Sequence, residues 1–260
     1  GYTYPGGDEN TMVIRTAEAK AGKPATVYHF KGHLGQPIFG QDPIDDILFF
    51  RIDRGDFVIN RIGEDKDGTP VILPAVRKAH GLTNIVSPPQ SPQKGTSINT
   101  ASGDRNPKNV VLQSGSLWFS QTINHQGRAA VQWHQVRLDG TIVQTGLIAG
   151  EATSFIQTTL AVNARNDVLI GFQETGESMF ISPRMAWRLA GDPPGTVREI
   201  VRLGEGQGAT DGTSWGDYSG SVVDGDNLED MWTIQSITSP KGKGWTLVAK
   251  LPVVKDRPSK

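Results

Sequence analysis

The chain has 260 residues, of which 36% are hydrophobic, and a formal net charge of −1. That near-neutral balance gives no electrostatic case for binding nucleic acid or an anionic membrane, and no apolar run approaches the roughly 18 residues that a membrane span needs. Cysteine is absent, which removes disulfides, thiolate chemistry and zinc–thiolate sites together.

Residues 1–10 are rich in Gly, Tyr and Pro and read as an arm or loop. Short strands are predicted within 11–19, around Met12-Val13-Ile14, and at 27–30. Residues 17–21 are the one helix-favouring run, and Gly22 and Pro24 stop it. Residues 47–52 and 57–62 flank Asp53-Arg54-Gly55-Asp56, a hairpin with glycine in its turn, and 70–73 add a strand. Residues 79–103, rich in Ser, Pro, Gln and Gly, form the longest loop, of a kind that often carries function or motion. Strands then follow closely at 109–113, 116–123, 129–138 and 141–148. They are joined at Ser114-Gly115, at 124–127 and at Asp139-Gly140. Asp-Gly is a strong hairpin signal because both central residues of such a turn accept positive φ. The next group is 155–163, 167–174, 185–189 and 197–203, and the last is 218–223, 230–237 and 245–252.

The most informative stretch is Trp215-Gly216-Asp217-Tyr218-Ser219, followed by Val223-Asp224 and Met231-Trp232-Thr233-Ile234. It reads as a turn opening a strand, a second short turn, and a strand carrying tryptophan. The earlier groups have the same form, and four strands joined by tight turns over about forty residues match one propeller blade. The expectation is therefore all-β: a β-propeller of four-stranded antiparallel blades, about four to five of them, forming one domain over 1–260. An N-terminal arm and partial blade occupy 1–35, a first blade and long loop 36–104, and further blades 105–150, 151–205 and 206–254. If the fold needs more blades, the chain is a fragment of a larger propeller and a partner chain or segment supplies the rest. Its start at Gly1 rather than Met reads as a processed product or an excised piece.

Three stretches, Ser116-Leu117-Trp118, Ala129-Ala130-Val131-Gln132-Trp133-His134-Gln135-Val136 and Val143-Gln144-Thr145-Gly146, resemble a group of large bacterial secreted β-propeller proteins. These are loosely termed sialidase-like, and most have no assigned activity. Ser182-Pro183-Arg184 with Trp187-Arg188, Asp192-Pro193-Pro194-Gly195, and Trp215-Gly216-Asp217-Tyr218-Ser219 with Asp224 and Trp232 are similar to the same group. The resemblance covers most of 36–250 and implies an extracellular, periplasmic or cell-surface location. Of the sialidase Asp-box, Ser-x-Asp-x-Gly-x-Thr-Trp, only a decayed echo stands at 239–245.

A sialidase-type hydrolase needs a tyrosine nucleophile, a carboxylate activating it, an Asp acid/base, and arginines that clamp the substrate carboxylate. Asp217, Tyr218, Arg184 and Arg188 are the candidates for those roles. The plainer reading of Trp215-Gly216-Asp217-Tyr218 is a structural corner, with Asp217 accepting backbone N–H groups and Tyr218 packing across a blade. Trp133, His134 and Trp215 are candidate ligand-binding residues, since aromatic faces stack on pyranose rings; packing between blades is the competing role for most of the tryptophans. Strand alternation puts His134 on the face opposite Trp133, where it lines a channel or satisfies a hydrogen bond. Asp224, Asp226 and Asp230, with Glu229, form an acidic loop able to hold calcium, as do Asp42, Asp45 and Asp46; no other cofactor is required. His29 and His33 have a metal-ligand spacing only on a helix, which Gly32 and Gly35 disfavour. The favoured function is a non-catalytic glycan- or protein-binding module outside the cytoplasm. The alternatives are a sialidase-type glycoside hydrolase and a structural subunit of a larger assembly. No nucleic-acid partner and no membrane span are expected.

Overall fold

The computed structural model describes residues 10–40, 42–43, 46–53, 55–82, 85–211 and 214–251. β1 (Asn10–Ile14) and β2 (Val27–Lys31) form an antiparallel hairpin around the single turn α1 (Thr16–Lys20). Four groups of strands follow. The first is β3 (Gln36–Gly40), β4 (Ile47–Ile52), β5 (Asp56–Glu64) and β6 (Pro70–Ala79). The second is β7 (Val110–Gln113), β8 (Ser116–His125), β9 (Arg128–Arg137) and β10 (Ile142–Ile148). The third is β11 (Ser154–Val162), β12 (Val168–Gly176), β13 (Met179–Arg188) and β14 (Ile200–Arg202), and the fourth is β15 (Gly220–Val223), β16 (Met231–Thr238) and β17 (Gly244–Leu251). Within each group, strands adjacent in sequence pair antiparallel.

The blades are less separate than expected. β3 runs parallel to β7 and pairs with it at Ile38–Val110, Phe39–Val111 and Gly40–Leu112, so the first two groups share one eight-stranded sheet. The hairpin turns also differ in detail. Ser114-Gly115 and Gln126-Gly127 have positive φ at both residues, as a primed two-residue turn requires. At Asp139-Gly140 only the glycine has positive φ (83°), and a register shift follows between Ile142 and Gln144. This is a turn that closes on a bulge, so the Asp-Gly signal located the hairpin but not its turn type.

Period-2 alternation explains why the sheets stack face to face. In β8, Leu117 and Phe119 pack with Ile38, Phe50, Phe57 and Ile59 of the first group, while Trp118 points the other way and joins Trp133, Leu160, Val168 and Phe172. In β12, Ile170 and Phe172 face the second group, while Leu169 joins Met185, Met231, Val223 and Leu251 toward the fourth. Central strands are therefore apolar on both sides, and each removes about 1.5–3 kcal/mol of apolar side chain from water per fully buried Leu, Ile, Val or Phe. The β1–β2 hairpin covers the remaining face of the first group, with Val13 and Phe30 on Leu34, Phe49 and Ile62.

The first strand of each group lies toward a common axis. Phe39 and Gly40 of β3, Val110 and Val111 of β7, Ala161 and Val162 of β11, and Val222 and Val223 of β15 line one apolar cavity of about 280 Å³. This is the arrangement of a β-propeller of several blades, with the inner strands as staves. At the upper end, where β11 and β15 begin, the described parts of the loop 80–109 cross the blade ends. Its described residues are tied down at several points. Asn124 N–H donates to Val86 O (2.9 Å), Lys94 N–H to Met179 O (3.0 Å), and Thr122 N–H to Asp104 O (3.0 Å). Gln93 exchanges two hydrogen bonds with the Thr210 backbone.

Candidate functional site

The upper end of the axis is polar for a reason visible in β11. Its apolar run is interrupted by Gln157-Thr158-Thr159, and there the ladder to β12 slips: Ile156 pairs with Gln173, but Thr159 pairs with Gly171. The extra residue forms a bulge, and Gln157 takes a φ of 55°, sparsely populated for a side chain of this kind. Three contacts from the crossing loop hold it there. Gln157 N–H donates to Ser102 O (3.0 Å), its Nε2 donates to Ala101 O (3.2 Å), and its Oε1 accepts a short hydrogen bond from Lys108 Nζ. Lys108 Nζ also donates to the carbonyl of Gly216 at 3.1 Å. One ammonium thus joins the loop before β7, the bulge in β11 and the corner before β15.

That corner closes tightly. Gly216 has a φ of 75°, and a Cβ there would stand 2.7 Å from Gln173 Oε1 and 2.9 Å from Gln157 Cγ, so only glycine fits. Below it, amides and hydroxyls form a continuous row. Gln173 Nε2 donates to Ser219 Oγ (2.9 Å) and Gln235 Oε1 (3.2 Å), and Gln235 Nε2 donates to Thr159 Oγ1 (3.2 Å) and Thr233 Oγ1 (2.9 Å). Ser221 Oγ is 2.8 Å from Thr159 Oγ1. Burial pushes the Lys108 ammonium down to about 8, with nearby Asp217 acting in the opposite sense. Two exposed carboxylates belong to the segments packed on Gln157: Asp217 follows Gly216, and Asp104 follows Gly103, which also abuts Gln157.

The residues singled out from sequence are spread over the molecule. Asp217 is exposed at the upper end, and neighbouring Tyr218 is 92% exposed, projecting into solvent rather than packing across a blade. Arg184 is buried in β13 and engaged by Glu174 Oε2 (2.8 Å), Glu205 Oε1 (3.3 Å) and the Gly204 carbonyl. Arg188 lies over the Trp133 ring and donates to Asp192 O (2.9 Å). Neither arginine makes a hydrogen bond or ion pair with Asp217 or Tyr218 among the described residues.

Trp133 is fully buried and stacks on Trp118 at 6.5 Å, and Trp215 packs against Ala129, Ile156 and Ile181. Neither presents a face to a sugar. His134 is likewise sealed between β8 and the first group, beside Phe119 (4.9 Å) and Phe57 (5.9 Å). Burial, with nearby His80 acting in the same sense, holds it down to about 3. In the acidic loop, Asp224 Oδ2 accepts from Trp232 Nε1 (2.9 Å) and Oδ1 from Asp226 N–H (3.0 Å), and Asp230 pairs with Lys250 at 2.7 Å. These carboxylates serve as turn and strand-end acceptors, and no group of three His, Asp or Glu among the described residues is placed to hold a metal. Asp45 of the other acidic loop lies outside the described residues.

Sequence reading missed Lys108, Gln157, Gln173 and Gln235. The signal was present as a polar triplet, Gln157-Thr158-Thr159, inside an otherwise apolar strand.

No protein-family model matches the sequence, and no curated protein matches it. Solved structures do resemble the fold. A family 43 endo-arabinanase from Bacillus licheniformis is 8% identical, with 86% of this chain and 73% of that chain covered and a TM-score of 0.38. An α-L-arabinofuranosidase from Lactobacillus brevis is 8% identical over 89% and 80% of the two chains, with a TM-score of 0.38. A thermostable family 43 glycoside hydrolase is 9% identical over 88% and 86%, with a TM-score of 0.39. No residue correspondence follows at such identities.

Two expectations are corrected. None of the three structures just named carries a sialidase name, and Arg184 and Arg188, expected to clamp a substrate carboxylate, are already engaged within the protein. The non-catalytic binding module loses its support: Trp133 and Trp215, expected to stack on a glycan, are core residues. No helix among the described residues is long and apolar enough to cross a membrane.

Proposed function

We propose that the chain is a glycoside hydrolase working outside the cytoplasm, with its reacting centre at the upper end of the propeller axis. The observation that carries this reading is the half-buried Lys108 ammonium, set among the amides and hydroxyls of Gln157, Gln173 and Ser219 with the exposed carboxylates of Asp104 and Asp217 on the segments around it. Amides and hydroxyls match the alternating donors and acceptors of a sugar ring. Glycosidic cleavage uses two carboxyl groups, one giving a proton to the leaving oxygen and the other attacking or activating water. Asp217, on the corner that the ammonium binds, is the candidate base or nucleophile, and Asp104 the candidate acid.

Linear arabinan and an aryl α-L-arabinofuranoside are the first substrates to test, followed by a wider glycan panel. Asp217→Asn and Asp104→Asn are each expected to lower the rate of reducing-end release by about 10²-fold or more, the usual worth of a positioned acid or base. Full activity in both variants, or an inert wild-type protein across the panel, overturns the reading.

A further inference from the structure

We propose that this same site takes a carbohydrate bearing a carboxylate, a uronic-acid unit, with Lys108 as its counter-charge; the inference rests on the hydrolase reading for the location of the sugar. Lys108 differs from Arg184, which is buried in β13 and has Glu174 and Glu205, and from Arg165, in the turn between β11 and β12, which has Glu229 at 2.6 Å. Lys108 has no carboxylate within ion-pair reach among the described residues. Its partners are two neutral oxygens, Gln157 Oε1 and Gly216 O. An ammonium has three N–H donors, so one is left without a protein acceptor among the described residues.

A second orphan stands in the same cluster. Gln173 Oε1 is buried without a donor, under Gly216. A half-buried cation is unfavourable unless a counter-charge completes it, and a neutral sugar hydroxyl does so poorly compared with a carboxylate. Asp217 is near enough to favour the charged form of Lys108 but makes no direct contact with it. The third N–H is thus matched by an acceptor that the ligand brings. Because Gln157 and Gly216 fix Nζ from two sides, the third N–H has a defined direction, and the ammonium reads charge at one position of the ligand rather than attracting anions at large.

The test is equilibrium binding, by calorimetry, of galacturonate and glucuronate disaccharides against the matching neutral disaccharides. Wild-type protein is expected to bind the uronates at least about tenfold more tightly, the ordinary worth of one charge-assisted hydrogen bond. Lys108→Met is expected to erase that preference, and Lys108→Arg to restore it in part. No preference in the wild-type protein, or a preference that persists in Lys108→Met, overturns the proposal. Should Lys108→Met fail to fold, the wild-type comparison and the Lys108→Arg variant decide. Uronate preference without hydrolysis of any glycan would defeat the hydrolase reading and leave this one standing. Hydrolysis of neutral glycans with no uronate preference would do the reverse.

Discussion

Acid should unfold this protein through His134. The ring is fully buried; its Nε2 lies 3.3 Å from Gln121 Nε2 and its Nδ1 lies 2.9 Å from Thr145 Oγ1. Because Gln121 Nε2 is a donor there, His134 Nε2 acts as the acceptor, and the proton sits on Nδ1 toward Thr145. Protonation would set an N–H against an N–H in a pocket walled by Phe57 and Phe119. The folded value of about 3 lies below the ordinary 6.5. Between those values the unfolded chain binds the extra proton and the folded one does not, so stability is intact above the unfolded value and falls as pH drops below it. One unit is about 1.4 kcal/mol, giving a loss of at most about 5 kcal/mol across the window and about 2–3 kcal/mol by about pH 4.5. That is a large share of the ~5–15 kcal/mol typical of a folded domain. The assay is urea unfolding of wild type and His134→Gln at a series of pH values from neutral to mildly acidic. The variant keeps an amide between Gln121 and Thr145 but cannot titrate, so its stability should fall less steeply. His80, also lowered by burial, contributes in the same window in both proteins. Equal pH slopes in the two proteins would refute the argument.

Gly146→Ala should destabilise by about 3 kcal/mol, at the upper end for overpacking, because its Cβ would stand 2.1 Å from Trp133 Nε1 and 2.6 Å from Gly195 O; thermal unfolding measures it. Arg184→Ala should cost about 3–5 kcal/mol by leaving Glu174 without its cation, and adding Glu174→Gln to it should recover part of the loss in the same assay. Lys108 predicts an alkaline signature with the opposite sign from a salt-bridged lysine. Its folded value of about 8 lies below the ordinary 10.5, so the burial penalty is full below about 8 and relieved as pH rises between the two. Wild-type stability should therefore climb relative to Lys108→Met by up to about 3 kcal/mol over that range.

How much of this was legible in the sequence depended on where each partner came from. β8 and β9 were readable because both their faces are apolar and tight turns bracket them. β3 was not, since Gln36-Pro37-Ile38-Phe39-Gly40 has a proline and little apolar content; it is a strand because β4 and β7 lie on either side of it. The first half of β13 was missed for a similar reason: Ser182-Pro183 reads as a stop, yet β12 pairs with β13 straight through it. For the site, Asp217 announced itself through its aromatic and glycine neighbours. Lys108 did not, because the groups it touches lie 49 and 108 residues away, and nothing local marks a loop lysine as half-buried. The tryptophans were conspicuous in the sequence for the reason that makes them unavailable to a ligand: the blade interfaces need large apolar rings.

In the blade interfaces local and global preferences agree: apolar residues alternate onto them, and buried Arg184 and Arg188 meet carboxylates or an aromatic ring. Around Gln157 they disagree repeatedly. A side-chain-bearing residue holds φ of 55°, an ammonium is half-buried with no carboxylate in contact, and Gln173 Oε1 is buried without a donor. Backbone strain of this kind costs on the order of 1–3 kcal/mol, and an unsatisfied buried polar atom costs about as much. A merely structural corner could remove all three at once by closing β11 without its bulge and continuing the apolar run. The bulge instead turns Gln157 to meet Lys108, which also binds the Gly216 carbonyl. Three such costs meeting at one ammonium, on segments that carry two exposed carboxylates, are what a site retained for its chemistry leaves behind.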